Sequence, residues 1–369
     1  MRSAPFSGLG MMARVFAKAV GLLLIVDLVL VATDVDPLTS LTTWNTWGLV
    51  GHGSTRLYTT SGDLPGQLPA EALLAAHALA YAPKTSGEYR IIVLGDSAVY
   101  GWRLSDEEAF TGQLNAQDLH VDGKRVVAYN LGYPVPDVPR DVVFLDTALR
   151  YKPDMVIWFV SLIGLRGADP AANRVDLDVN RSHLRRIADR FGLQNWFDAQ
   201  FAPEPPWVRW VAIHDPGTLA VWLDSLLSPL GPSAATQPMA RIGGNPVPKA
   251  AMFYTGQPDV AVPNDSWGFL SAGSTLAADV GTRLLLVNEP ILVGIGPNSH
   301  LNYDEFYERA LYDAYREALS GYEQRHHIWS VDLWNVVPAQ YFTDSAHHMD
   351  AVGWKIVADH LAIELQTIP

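Results

Sequence analysis

Four short stretches of this chain are almost unbroken in apolar residues: Arg90–Leu94 (RIIVL), Arg125–Tyr129 (RVVAY), Met155–Val160 (MVIWFV) and Arg283–Val287 (RLLLV). A strand that faces water on one side alternates apolar with polar residues. One that does not alternate is covered on both faces. These runs are too short for buried helices and rich in Val and Ile, which reads as strand. Helical patterns accompany them, as at Pro139–Tyr151 and Phe306–Arg325. Parallel neighbours need a crossover, and a helix is the usual one, so strands taking turns with helices predict an α/β fold with a parallel sheet covered on both faces.

Residues 166–281 interrupt that rhythm. They hold Trp196, Trp207, Trp210, Trp222 and Trp267 with many prolines, and one helix is expected at Val179–Phe191. This region reads as an insertion, a lid or a substrate platform; the stretch Trp207–Leu230 is apolar enough to lie against a membrane or the body of the domain, and core packing is the favoured reading. Four parts result: a signal anchor over 1–35, a tether with one packing helix (Pro69–Ala82) over 36–88, a core formed by 89–165 and 282–369, and the insertion.

The anchor rests on charge and hydropathy. Arg2, Arg14 and Lys18 precede an apolar run from Ala19 to Ala32 in which ten positions are Val, Leu or Ile and one is Asp27. Those ten contribute about -3 to -6 kcal/mol to insertion against about +3 for a central Asp. Positive charge before the run and Asp34 and Asp36 after it would keep the N-terminus inside and export the body. Leu30 spoils a small-x-small cleavage site ending at Ala32, which favours an uncleaved anchor over a removed signal or a buried core helix. The expected location is therefore a single-pass bacterial cell-membrane protein with its body outside the cytoplasm. With 26 Lys plus Arg against 39 Asp plus Glu, the net charge is -13, which repels phosphate backbones and excludes nucleic acid as a partner. The chain has no cysteine, which removes disulfides, thiolate catalysis and Cys-type zinc sites.

Two sequence features carry chemistry. Gly95-Asp96-Ser97, with Gly101 following, ends the first apolar run and opens a helical segment. In a parallel sheet, ligands collect outside the carboxyl ends of the strands, and glycines let the chain turn tightly there. The simpler reading is a turn with a helix N-cap. Near the C-terminus, Thr343-Asp344-Ser345-Ala346-His347-His348-Met349-Asp350-Ala351-Val352-Gly353 leads into an amphipathic segment, Trp354–Leu365. An acid placed before a histidine can orient an imidazole that takes a serine proton.

On these residues the chain resembles the SGNH, or GDSL-like, hydrolase family. Ser97 in IIVLGDSAVYGW matches the serine of the first block, Asn130-Leu131-Gly132 resembles the second, and Asp344 with His347 or His348 matches the last. The resemblance covers about 89–165 and 282–366 and implies a three-layer α/β/α, flavodoxin-like core. It also implies ester cleavage or acyl transfer without a cofactor, with Ser97 as nucleophile and the N–H groups of Ser97 and Gly132 holding the oxyanion. PDMVIW, LLLVNEP and DLWNVVP are similar to phrases of bacterial members with an N-terminal membrane segment.

Two departures stand out. The third block usually supplies an oxyanion-binding Asn, but Ser161-Leu162-Ile163-Gly164 occupies its place, and Ile163 has no donor. Losing one such donor costs about a hundred- to a thousandfold in rate. Asn288, at the same sheet edge, is a candidate substitute and otherwise a turn residue, with Asn298 a weaker choice. The second departure is register. Two residues between acid and base point to His347, whereas a glycine five positions after the base points to His348 with Gly353. The helix start fixes the loop, so His348 is taken as the base and His347 as the alternate. No HExxH pattern supports a metal site at the paired histidines.

The expected function is a serine esterase acting on an ester-bearing small molecule, glycan or lipid of the cell envelope. The alternatives are an O-acyltransferase for an envelope polysaccharide and an inactive SGNH-like binding or assembly protein.

Overall fold

A computed structural model of the chain describes residues 14–22, 24–25, 55–57, 69–167, 177–178, 180–201, 262, 264–296 and 298–367. The strands are β1 (Glu88–Leu94), β2 (His120–Val121), β3 (Lys124–Asn130), β4 (Met155–Val160), β5 (Arg283–Asn288) and β6 (Trp329–Asp332). The helices are α1 (Ala70–Ala76), α2 (Ala78–Tyr81), α3 (Ser97–Tyr100), α4 (Phe110–Asn115), α5 (Val138–Leu149), α6 (Leu162–Arg166), α7 (Arg181–Phe191), α8 (Gln194–Gln200), α9 (Asn264–Asp279), α10 (Arg309–His326) and α11 (Ala351–Gln366).

The strands form one sheet in the order β2-β3-β1-β4-β5-β6. Only β2 runs antiparallel to its neighbour; the other pairings are parallel. Side chains of a strand alternate between faces, and here both faces are apolar. Ile92, Leu94, Val156, Trp158 and Val160 join one core with Val142 and Leu145 of α5, Phe269 and Leu276 of α9, and Tyr315 of α10. Tyr89, Ile91, Val93, Ile157 and Phe159 join the other with Phe110 of α4 and Trp354, Val357 and Leu361 of α11. Each such side chain, fully buried, is worth about 1.5–3 kcal/mol. The result is a three-layer α/β/α arrangement. Counting the parallel strands in chain order, the sheet reads 2-1-3-4-5, the flavodoxin-like order, whose crevice lies where the chain leaves β1 for one side and β4 for the other.

The helical patch expected at 69–82 is broken at His77, whose Nδ1 accepts from the Leu79 N–H (3.1 Å) and so caps α2 from within. The ring is buried, and burial pushes its pKa down to about 4. Helix α9 lies inside the stretch read as an insertion, yet it packs on the sheet as part of the core layer.

Among the described residues no helix is long and apolar enough to cross a membrane, so the expected N-terminal membrane helix finds no support in them. Residues 14–22 and 24–25 are helical and rise about 16 Å, against a hydrocarbon core of about 30 Å. The rest of the 19–32 run lies outside the described residues. So do most of the tether and most of the insertion, including Trp207, Trp210, Trp222 and the Trp207–Leu230 stretch.

Candidate active site

The turn after β1 is built by three local choices. Asp96 caps α3, its Oδ1 accepting from the Ala98 N–H at 2.8 Å. A side chain at position 95 would drive its Cβ to 2.5 Å from Val99 Cγ2, which glycine avoids. Gly101 closes the helix in the left-handed region (φ 80°), where a Cβ is disfavoured. Ser97 is thereby the first residue of α3, and its N–H belongs to the turn that has no intrahelical acceptor.

The loop ahead of α11 is pinched at its base. Phe342 and Met349 form an antiparallel bridge, the Thr343 N–H donates to the His348 carbonyl at 2.8 Å, and the Asp350 N–H donates to that of Tyr341 at 2.8 Å. Asp350 then caps α11 through Val352 N–H (2.9 Å) and Gly353 N–H (3.0 Å). This pinch sets His348 beside Asp344, with Nδ1 to Oδ1 at 2.9 Å. The far ring nitrogen, Nε2, lies 2.8 Å from Ser97 Oγ. Ser97, His348 and Asp344, separated by up to 251 residues in sequence, thus form one hydrogen-bonded line. Arg103 Nη1 stands 3.4 Å from the other Asp344 oxygen. The hydrogen bond from His348, with the charge of Arg103 added, outweighs partial burial and holds the Asp344 carboxyl below its usual range.

His347 is outside that line. Its Nδ1 meets Ser345 Oγ at 3.2 Å and its ring lies 5.6 Å from that of Phe306. Burial, with the adjacent His348, pushes its pKa down to about 4. It is therefore a neutral ring at pH 7.

Of the expected oxyanion donors the Ser97 N–H stands at the helix start, while Gly132 and Asn288 are engaged elsewhere. The Gly132 N–H donates to Asn130 Oδ1 at 2.9 Å and so is already engaged. Glycine at 132 serves packing instead: a Cβ there would come within 2.4 Å of the Tyr100 nitrogen, so only a bare Cα lets β3's end lie against α3. Asn288 is also committed. Its Nδ2 donates to Asp332 Oδ1 (2.8 Å) and its Oδ1 accepts from Tyr315 OH (2.9 Å), in a buried network linking β5, β6 and α10. Ile163 sits on α6, half-buried against the core, and Asn298 lies in a turn whose carbonyl accepts from Leu301 N–H (2.9 Å).

Three residues at this edge escaped the sequence reading. Arg103 has no motif around it. Arg56, in the stretch read as tether, is buried and donates to the carbonyls of Gly101 (2.9 Å) and Leu104 (2.8 Å) while pairing with Asp106 (2.7 Å). It cross-braces the chain that leaves the Ser97 turn. Glu289, next to Asn288, is buried behind Asp96; a carboxylate ending a buried apolar strand was the available signal. Among the described residues no group of three or more His, Asp or Glu side chains is arranged to hold a metal ion.

No protein-family model and no curated protein matches the sequence. Several solved structures overlap it. A carbohydrate acetylesterase from Sinorhizobium meliloti is 11% identical, covering 75% of this chain and 97% of its own, with a TM-score of 0.39. A lipase/acylhydrolase from Enterococcus faecalis is 12% identical, covering 75% and 94%, with a TM-score of 0.38. An acetylxylan esterase mutant from Geobacillus stearothermophilus is 12% identical, covering 77% and 96%, also at 0.38.

Proposed function

We propose that the chain is a serine-dependent ester hydrolase working through an acyl-enzyme. The observation that carries this reading is the line from Asp344 through His348 to Ser97, with both contacts under 3 Å. In that line His348 Nε2 takes the Ser97 proton as Oγ adds to an ester carbonyl. Asp344 keeps Nδ1 protonated and stabilises the imidazolium. The carbonyl oxygen becomes an oxyanion facing the Ser97 N–H. His348 then returns the proton to the departing alkoxide, leaving an acyl-serine. Water, or a sugar hydroxyl in the transferase variant, repeats the cycle in reverse and releases the acyl group. The charge asymmetry and apolar run of residues 1–36 support a place on the outer side of the cell membrane, and with it an envelope glycan or lipid ester as substrate.

A second reading has its own observation. Ile163 lacks a donor, and the Gly132 and Asn288 donors are engaged elsewhere, as in a member that binds rather than turns over. Fluorophosphonate labelling of the full chain separates the two. The hydrolase reading expects labelling that is lost in Ser97→Ala and His348→Ala and kept in His347→Ala. An intact chain that never labels would favour the binding protein.

A further inference from the structure

Behind the Ser97 turn lies a second carboxyl that the chemistry above does not use. The Glu289 N–H extends the sheet ladder by donating to the Val160 carbonyl at 3.1 Å, which places Glu289 just past β5, beside the end of β4. Its side chain is 2% exposed. Its carboxyl faces that of Asp96, itself 6% exposed, and Ser161, and its Oε1 is buried with no N–H or O–H donor on it among the described residues. The groups facing it from the surrounding elements are Asp96 from the β1–α3 turn, Ser161 from the end of β4 and Asp141 from α5. Tyr307 ahead of α10, with Tyr312 and Tyr315 on α10, completes the set. The Asp141 charge is itself met by Arg140 at 2.9 Å.

Two carboxyl groups can hydrogen-bond to each other only if one of them holds a proton. Two carboxylates sharing a buried site cannot both ionise without a large penalty. We propose that Glu289 is a positioning residue for Ser97, donating one shared proton to Asp96 and thereby fixing the capping residue that starts α3. The consequence is geometric. Asp96 Oδ1 accepts from Ala98 N–H, so an Asp96 side chain held from behind holds the first turn of α3, and with it the Ser97 hydroxyl that His348 must meet. Burial, and then the neighbouring Asp96 charge, raise the Glu289 pKa well above its ordinary value, in accord with the proton residing there.

The inference rests on the proposed role of Ser97 for its kinetic readout, so the test has a second arm that does not. In the full chain, Glu289→Gln keeps a neutral donor and Glu289→Met keeps bulk without one. Fluorophosphonate labelling should slow about 10- to 100-fold in Glu289→Met, the effect of an unsatisfied buried acceptor, at unchanged half-saturating reagent. Glu289→Gln should recover most of that loss. Labelling of Glu289→Met at the wild-type rate, or of Glu289→Gln as slowly as Glu289→Met, would overturn the positioning role.

The second arm is the urea midpoint between pH 5 and 6.5. There an unfolded Glu is ionised and a folded Glu289 protonated, so folding takes up a proton and wild-type stability falls as pH rises. The Glu289→Gln midpoint should fall less steeply. Identical slopes would show that no proton is held and sink the proposal. If the wild-type chain does not label but the slopes differ, the seryl reading fails while the shared proton stands.

Discussion

His348 and His183 are both imidazoles set against carboxylates, and the chain uses them for opposite ends. His183, on α7, lies between Asp146 of α5 (Nε2 to Oδ2, 2.6 Å) and Glu71 of α1 (Nδ1 to Oε1, 3.0 Å). Burial alone would lower its pKa, but the two carboxylates raise it overall. With an acceptor on each nitrogen, this ring is held as the cation and has no lone pair to offer. His348 has an acceptor on Nδ1 only. Its Nε2 meets a hydroxyl, which can give a proton as well as take one. Exchanging one carboxylate for a serine leaves the ring one nitrogen that can accept a proton, as the proposed function requires.

Four measurements would break or sharpen this contrast. The largest effect is expected from His348→Gln, which should cut fluorophosphonate labelling by about 10^4-fold or more while leaving the urea midpoint nearly unchanged. His183→Leu should do the reverse, keeping labelling and lowering stability by about 1–3 kcal/mol. That figure is reduced from the cost of breaking a fully buried pair because Asp146 is 37% exposed. If His183→Leu abolished labelling as well, the two rings would not be separable.

The pH dependence gives the next effect. The folded pKa of His183 is raised above 6.5, so its contribution is complete below the unfolded value and is lost as pH rises through the folded one. Wild-type urea midpoints should therefore fall above neutrality more than those of His183→Leu, and parallel curves would show that the ring does not bridge as a cation. The smallest change is expected for Arg103→Met. Arg103 stands 3.4 Å from Asp344 and is 41% exposed, so labelling should slow by no more than about fivefold.

The strands were legible because each buried run is bounded by turn residues; Met155–Val160 matches β4 end to end, and the other three runs extend by a residue or two. β6 was missed because Trp329–Asp332 is short, half-buried and ends in a charge, so neither alternation nor an apolar run marks it. Ser97, Asp344 and His348 were nameable because local turns place them, and a turn is written in adjacent residues. The engagement of Gly132 and Asn288 was not legible for the complementary reason. Whether Gly132 or Asn288 has a donor to spare depends on Asn130, Asp332 and Tyr315, and no local pattern announces those contacts. Arg56 and Glu289 belong to the same class, since each acts on the Ser97 turn from a remote part of the chain.

The 251-residue separation of Ser97 and His348 has a consequence during synthesis. The turn that carries the proposed nucleophile emerges from a ribosome long before the loop that carries its proposed base. A nascent chain with β1 through β5 in place would expose a serine with no proton acceptor. On the proposed function, chemistry would begin only when residues 343–366 dock α11 beneath the sheet. The same segment also supplies Trp354, Val357 and Leu361 to the core beneath the sheet, so its docking completes the packing and the hydrogen-bonded line together.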